Sequence, residues 1–236
     1  MNRRGFYRGM DPRDVAMYGL PEAAHYLHLP VATLRSWVDG RSYRLADGGR
    51  GFSERLIERP DAGDPRLSFN NLVEAHVLRA LRVEHQVSMN HVRRALDYAE
   101  KEFGIDRLLI RKELLAAPGE LFLQEYGRLL SLSRSGQFAI EQILEAFLRR
   151  VVRDPKGLPV RLYPFTSPGT TEDRRVVAID PRISYGRPSI ERKGISTAIL
   201  VERLNAGESI EELADSYDLT AEEVAEAIVY ESARAA

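Results

Sequence analysis

The chain has 236 residues, 44% of them hydrophobic and 29% charged, with a formal net charge of −1 at pH 7. These values suggest a soluble globular protein rather than a disordered or membrane one, and the length admits two or three small domains, each with a core. No apolar run approaches the ~20 residues that span a bilayer. Without cysteine there are no disulfides, thiolate metal sites or cysteine nucleophiles. The basic start, Met1 to Phe6, has no apolar segment behind it and is not a secretory signal, so a cytoplasmic location is expected.

Charge is unevenly spread. Residues 1–60 carry ten arginines against seven carboxylates, whereas residues 166–236 carry eight basic against fourteen acidic side chains. A basic front and an acidic rear predict different partners for the two ends.

Arg3, Arg4, Arg8 and Arg13 stand among glycine and polar residues. They read as a flexible terminus or as a basic arm tracking phosphates. The stretch Leu20 to Trp37 has the layout of a helix-turn-helix. Pro21 suits the start of a helix, Ala23, Ala24 and Leu27 share one face, and His28-Leu29-Pro30 breaks it. A second helix then turns Leu34 and Trp37 inward and leaves Thr33, Arg35 and Ser36 on or near the outward side. Hydroxyls and a guanidinium there suit a recognition helix in a major groove. The same two-helix pattern also occurs in ordinary helical cores.

Arg41 to Leu45 and Phe52 to Ile57 flank a glycine-rich tip and predict a β-hairpin placed as a wing. Arg41, Tyr43, Arg44 and Arg50 are its candidate DNA contacts, through phosphates or a minor groove, and solvated arginines are the competing reading. A helix is expected from about Asn71, capped by Asn71 with Glu74, with Leu72, Val73, His76, Val77, Ala80 and Leu81 as its apolar stripe. His76 on that stripe reads as a core histidine. Ser88 caps a further helix carrying Val92, Ala95, Leu96, Ala99 and Phe103, which Gly104 ends, with Arg93 and Arg94 on its solvated side.

Arg107 to Ile110, Leu121 to Gln124 and Arg128 to Leu132 read as strands, the last two joined by a turn at Tyr126-Gly127. A helix through Ile140, Leu144 and Phe147 follows, then an alternating strand over Val160 to Tyr163. This predicts a small α+β unit for packing, dimerisation or partner binding. Thr166 to Thr171 is a linker by composition. Val176 to Pro181 is a short strand, and three helices follow, the last two opened by Ser209 with Glu212 and Thr220 with Glu223. Those two have helix-turn-helix spacing. The would-be recognition helix, however, carries Glu222, Glu223, Glu226 and Glu231, which phosphates would repel, so a protein contact or a dimerising bundle is the better reading.

His25 and His28 are three apart, but the second lies in the turn that ends the helix and no cysteine ligand exists in the chain, so no metal site is expected. No HExxH, P-loop, GxSxG or Rossmann glycine pattern occurs. The expectation is a non-enzymatic protein with neither cofactor nor metal.

Leu20 to Trp37, the hairpin, and Leu67-Ser68-Phe69-Asn70-Asn71-Leu72 together resemble the MerR-type winged helix-turn-helix. The long coiled-coil helix that usually follows is missing, so effector sensing is not carried over. The tail resembles a small bacterial domain of unknown function frequent in antitoxins of type II toxin–antitoxin pairs. The resemblance lies in Asp180-Pro181-Arg182-Ile183-Ser184-Tyr185-Gly186-Arg187-Pro188, Gly207 to Ala214, and Leu219 to Val224. Glu191 to Ile195 departs from the glycine-threonine-rich turn common there. The combination is similar to the larger VapB-like antitoxins, which implies operator DNA, a PIN-domain ribonuclease toxin and a second copy of the chain as partners, and repression of the chain's own operon. Neither a MerR-like regulator without a toxin nor an interaction protein that no longer binds DNA is excluded. The expected architecture is mainly α with small β elements (α+β): a winged helix-turn-helix over 1–104, an α+β unit over 105–165, and a linker with a three-helix domain over 166–236.

Overall fold

In the computed structural model, residues 10–44, 48–83, 89–111, 114, 117–129, 134–166 and 175–233 are described. The expectations for Arg3, Arg4, Arg8, the Ser88 cap and most of the linker lie outside them.

Two short helices open the fold, α1 (Leu20–Tyr26) and α2 (Val31–Asp39). His28 adopts a left-handed φ of +49°, and the Leu29 amide donates to the Ala24 carbonyl at 2.8 Å, which closes the first helix. Ala23, Ala24, Leu27, Leu34 and Trp37 are buried as their spacing predicts. The wing follows as β1 (Arg41–Arg44) paired antiparallel with β2 (Arg50–Ser53). Beyond it, the Leu56 and Ile57 amides donate to the Trp37 carbonyl at 2.7 and 3.0 Å, so the chain leaving the wing is fastened to α2.

The next helix, α3 (Phe69–Val83), starts two residues before the expected cap. Its box is formed by Ser68 and Asn71: the Ser68 amide donates to Asn71 Oδ1 at 3.1 Å, and the Asn71 amide donates to Ser68 Oγ at 3.3 Å. Glu74 instead accepts from Asn71 Nδ2 and from Arg107 Nε, each at 2.8 Å. Then come α4 (Met89–Phe103), a 3₁₀ turn at Leu108–Ile110, α5 (Ala117–Leu129) and α6 (Arg134–Leu148). Gly104, with φ +62°, ends α4 as expected.

Here the structure corrects three expected strands. Arg107 to Ile110 is a 3₁₀ turn entered through a left-handed Arg107. Leu121 to Gln124, Tyr126-Gly127 and Arg128-Leu129 all lie within α5, and residues 130–132 fall outside the described part. Short apolar runs cannot be told from helix by periodicity alone, and Leu, Glu, Gln and Arg are good helix formers. Packing against α4, which buries Phe122, decides the outcome.

The β structure of the middle is a hairpin, β3 (Val151–Arg153) with β4 (Pro159–Leu162), the second being the strand predicted at Val160. Leu162 and Ile179 exchange backbone hydrogen bonds at 3.0 and 2.8 Å, joining it to the C-terminal part. There β5 (Val177–Ala178) pairs with β6 (Ser189–Ile190), followed by α7 (Thr197–Asn205), α8 (Ile210–Tyr217) and α9 (Ala221–Ser232). Both predicted capping boxes are present, Ser209–Glu212 and Thr220–Glu223. Buried side chains from Tyr18 to Ile179 form one apolar cluster; a second, around Leu200, Leu213, Val224 and Ala227, holds the last three helices together.

The C-terminal helices dock on α1. Tyr230, with no exposed surface, donates its hydroxyl to the Tyr26 carbonyl at 2.9 Å, and His28 Nε2 donates to the Tyr230 carbonyl at 3.0 Å. His25 Nε2 lies 2.9 Å from Glu231 Oε2. Tyr18 donates its hydroxyl to the Gly186 carbonyl at 3.1 Å. Gly186 has φ +74°, and a Cβ there would collide with that same tyrosine.

The buried histidines predict an acid-sensitive fold. Burial pushes His28 down to about 4 and His76, packed between Phe147 and Phe165, down to about 3. Both therefore stabilise the fold fully above the unfolded histidine value near 6.5, and that contribution is lost as pH falls toward the folded values. His25 runs the other way: its hydrogen bond with Glu231 raises it, so its contribution is complete below 6.5 and fades as pH rises through the folded value. Two depressed imidazoles against one raised give a net loss. Thermal melting is expected to drop between pH 6.5 and pH 4, each depressed imidazole adding a slope of about 1.4 kcal/mol per pH unit. His28→Gln, which keeps a donor toward Tyr230, should make the dependence shallower; an unchanged slope counts against the assignment.

Candidate nucleic-acid interface

The burial of Leu34, Trp37 and Val38 fixes which side of α2 faces solvent. The exposed stripe is Ala32, Arg35 and Asp39, with Ser36 at its half-buried edge. Thr33 does not belong to it. At 6% exposure it faces inward, a correction to the outward placement expected from its proximity to Arg35. It lies one turn before the buried Trp37 on the same side of the helix, so the buried face is wide enough to include it. Ser36 donates its hydroxyl proton to the Thr33 carbonyl at 2.7 Å, leaving lone pairs for an outside donor.

Asp39, at the end of the stripe, would repel phosphates. Arg59 Nη2 sits 2.6 Å from its carboxylate and neutralises it. This pairing, twenty residues apart, had no signal in the sequence.

The wing register sorts its side chains. Arg41 stands opposite Ser53, and Tyr43 opposite Gly51; on the other face Ser42 stands opposite Phe52 and Arg44 opposite Arg50. Ser53 donates its hydroxyl to Asn90 Oδ1 of α4 at 2.7 Å, so the face of Arg41 and Tyr43 is the one tied at its base to α4. The Tyr43 ring covers Gly51 so closely that no Cβ would fit there. The other face is turned away from α4. Arg93, expected to be solvated, instead donates to the Glu54 carbonyl just past the wing, and burial lowers its pKa.

Arg35, Arg41, Arg44 and Arg50 are all exposed, and none pairs with a carboxylate among the described residues. Elsewhere arginines are mostly consumed internally: Arg13 with Asp11 and Asp154, Arg107 with Glu74 and Asp14, Arg161 with Asp180 and Glu191, Arg182 with Asp180. Exposed guanidinium groups that no described carboxylate occupies are what phosphate contacts require.

The second helix-turn-helix is built otherwise. Glu223 near the start of α9 binds Arg192 at 2.9 Å, Glu226 accepts from the Thr166 hydroxyl, and Glu231 is held by His25 and Thr197. Its C-terminal turn is buried against α1, so α9 is occupied by its own chain.

No group of three metal-ligating side chains occurs among the described residues, and no described helix is long and apolar enough to cross a membrane. A cavity of about 140 Å³ lies between the wing base and α4, lined by Leu56, Glu74, Leu96, Glu100 and Arg107 among others. It is smaller than the ~300 Å³ at which ligand pockets begin.

Two family models match the chain: residues 16–96 match one described as "Putative DNA-binding HTH domain", and residues 177–230 match a "Protein of unknown function (DUF433)". Over 232 residues the chain is 31% identical to the protein named "Putative antitoxin VapB45" of Mycobacterium tuberculosis, covering 91% of this chain and 93% of that one. The X-ray crystal structure of Rv2018 from Mycobacterium tuberculosis shares its fold, with a TM-score of 0.65 and 24% identity over 91% of this chain and 98% of that one. With that identity along nearly its whole length, and a helix-turn-helix where the exposed arginines stand, the chain belongs to the family of the VapB45 antitoxin.

Proposed function

We propose that this chain is a DNA-binding antitoxin that represses its own operon as a homodimer and neutralises a PIN-type ribonuclease. The observation that carries the DNA part is the set of exposed arginines on α2 and the wing, which have no carboxylate partner among the described residues, beside an Asp39 already neutralised by Arg59. Arg35 with Ser36 reads a major-groove edge; Arg41, Tyr43, Arg44 and Arg50 hold the flanking backbone. Two such units a helical turn apart bind more tightly than one, which is the reason for a dimer. For the toxin, the acidic C-terminal surface is the favoured contact, because a ribonuclease groove is basic to hold RNA.

A gel shift with the full chain on the fragment upstream of its own gene tests the DNA part. Binding should weaken steeply with salt; no binding at low salt, or binding indifferent to salt, overturns it. Arg35→Ala is expected to reduce discrimination against random DNA by about 1–3 kcal/mol, and an equal loss on both DNAs would make Arg35 a phosphate contact. Arg44→Ala should lower the slope of log affinity against log salt by about one, uniformly across sequences. Arg59→Ala, which frees the Asp39 carboxylate, should weaken binding while leaving the Arg35 preference in place. Co-purification with the product of the adjacent open reading frame tests the toxin part, and a monomer in light scattering at micromolar concentration would count against the dimer.

A further inference from the structure

Phe52 is 60% exposed, one of the most exposed large apolar side chains among the described residues, and nothing in the wing explains it as packing. Its register places it on the face of Ser42, Arg44 and Arg50, turned away from α4. At the other end of its reach, the ring lies over Gly40, the residue that ends α2: a Cβ on Gly40 would stand 2.6 Å from the Phe52 ring. Gly40 has φ +75° and leads directly into β1, so the close approach of ring and backbone needs glycine there. Phe52 therefore occupies the corner between the recognition helix and a pair of arginines.

That pair is itself unusual. Arg44 and Arg50 are directly opposed across the strands, where like charges repel, and neither has a carboxylate partner among the described residues. An anion between them removes the repulsion, and a phosphate of the backbone is the anion such a hairpin meets. With the arginines on one phosphate, the ring beside them faces the sugar and base edge of the adjoining nucleotide. An exposed aromatic loses unfavourable hydration by stacking or wedging there, and cationic neighbours hold it against an otherwise polar surface.

We infer that Phe52 is a nucleic-acid contact, an apolar wedge seated against the nucleotide next to the phosphate that Arg44 and Arg50 share. This rests on the DNA-binding reading above and adds to it a contact that is insensitive to salt. It distinguishes two parts of one wing: the guanidinium groups supply counterion release, and the ring supplies stacking.

The test uses the full chain, double-stranded DNA from upstream of its gene, and titration at several salt concentrations, with Phe52→Ala and Phe52→Trp beside the wild type. Thermal melting checks that each variant is folded, which the exposure of the side chain favours. Phe52→Ala is expected to weaken binding about tenfold, the scale of losing one base stack, with the slope of log affinity against log salt unchanged. Phe52→Trp should restore most of the loss. Equal affinity of Phe52→Ala and wild type overturns the wedge while leaving the DNA reading intact. A reduced salt slope in Phe52→Ala also overturns it, because the ring would then only be holding the wing in shape. Failure of the wild type to bind at low salt overturns the DNA reading, and the wedge with it.

Discussion

The fold turns on the burial of Tyr230. A phenol with no exposed surface must place its hydroxyl on an acceptor, and it finds the Tyr26 carbonyl at the end of α1. The Tyr230 carbonyl in turn receives His28, whose imidazole burial keeps neutral at pH 7. Residues far apart in the sequence thus satisfy each other inside a buried contact, where an unmade hydrogen bond would cost about 1–3 kcal/mol. The left-handed His28 is at once the residue that turns α1 toward α2 and the residue that grips α9. The geometry of the first helix-turn-helix and the docking of the last helix are therefore one constraint.

This contact also accounts for how charge is distributed. Docking α9 on α1 consumes Glu231 through His25 and Thr197, and the preceding turns hold Glu223 with Arg192. The acidic half of the molecule satisfies many of its own groups near the contact. On α2 and the wing, by contrast, the arginines have no such carboxylate partners among the described residues, and Asp39 at the end of α2 is matched by Arg59. The two helix pairs are built on separate apolar clusters and differ in what their polar side chains meet. In the first the outward helix is free; in the second it is packed.

Much of this was legible in the sequence, and the exceptions have physical causes. The burial of Ala23, Ala24, Leu27, Leu34 and Trp37 follows from helical spacing, and the Ser209–Glu212 and Thr220–Glu223 boxes follow from local chemistry that needs no tertiary context. The predicted strands within α5 failed because Leu121 to Gln124 is short and its helical state depends on α4, a partner distant in sequence. Thr33 was misplaced for a related reason: one residue of rotation on a helix is set by the neighbours it packs against. The cap at Ser68 rather than Asn71 shows a smaller form of the same ambiguity, since Asn71 is competent both as cap and as its reciprocal partner. Among the site residues, Arg59 and Arg93 were invisible because their roles depend on which carboxylate or carbonyl the fold brings near.

The wing shows how a fold can retain an arrangement that is locally unfavourable. Arg44 facing Arg50 weakens a four-residue strand pair that has little else to hold it. The hairpin is instead secured from below: Ser53 on Asn90, Arg93 on the Glu54 carbonyl, and the Leu56 and Ile57 amides on the Trp37 carbonyl. The last of these ties the wing's exit to Trp37, a buried residue of α2, so the wing moves with the recognition helix. Stability drawn from the base leaves the outer half to carry charge that no carboxylate among the described residues offsets. An outside anion is then the favourable partner for those guanidinium groups, and the recognition helix beside them shares the same approach to it.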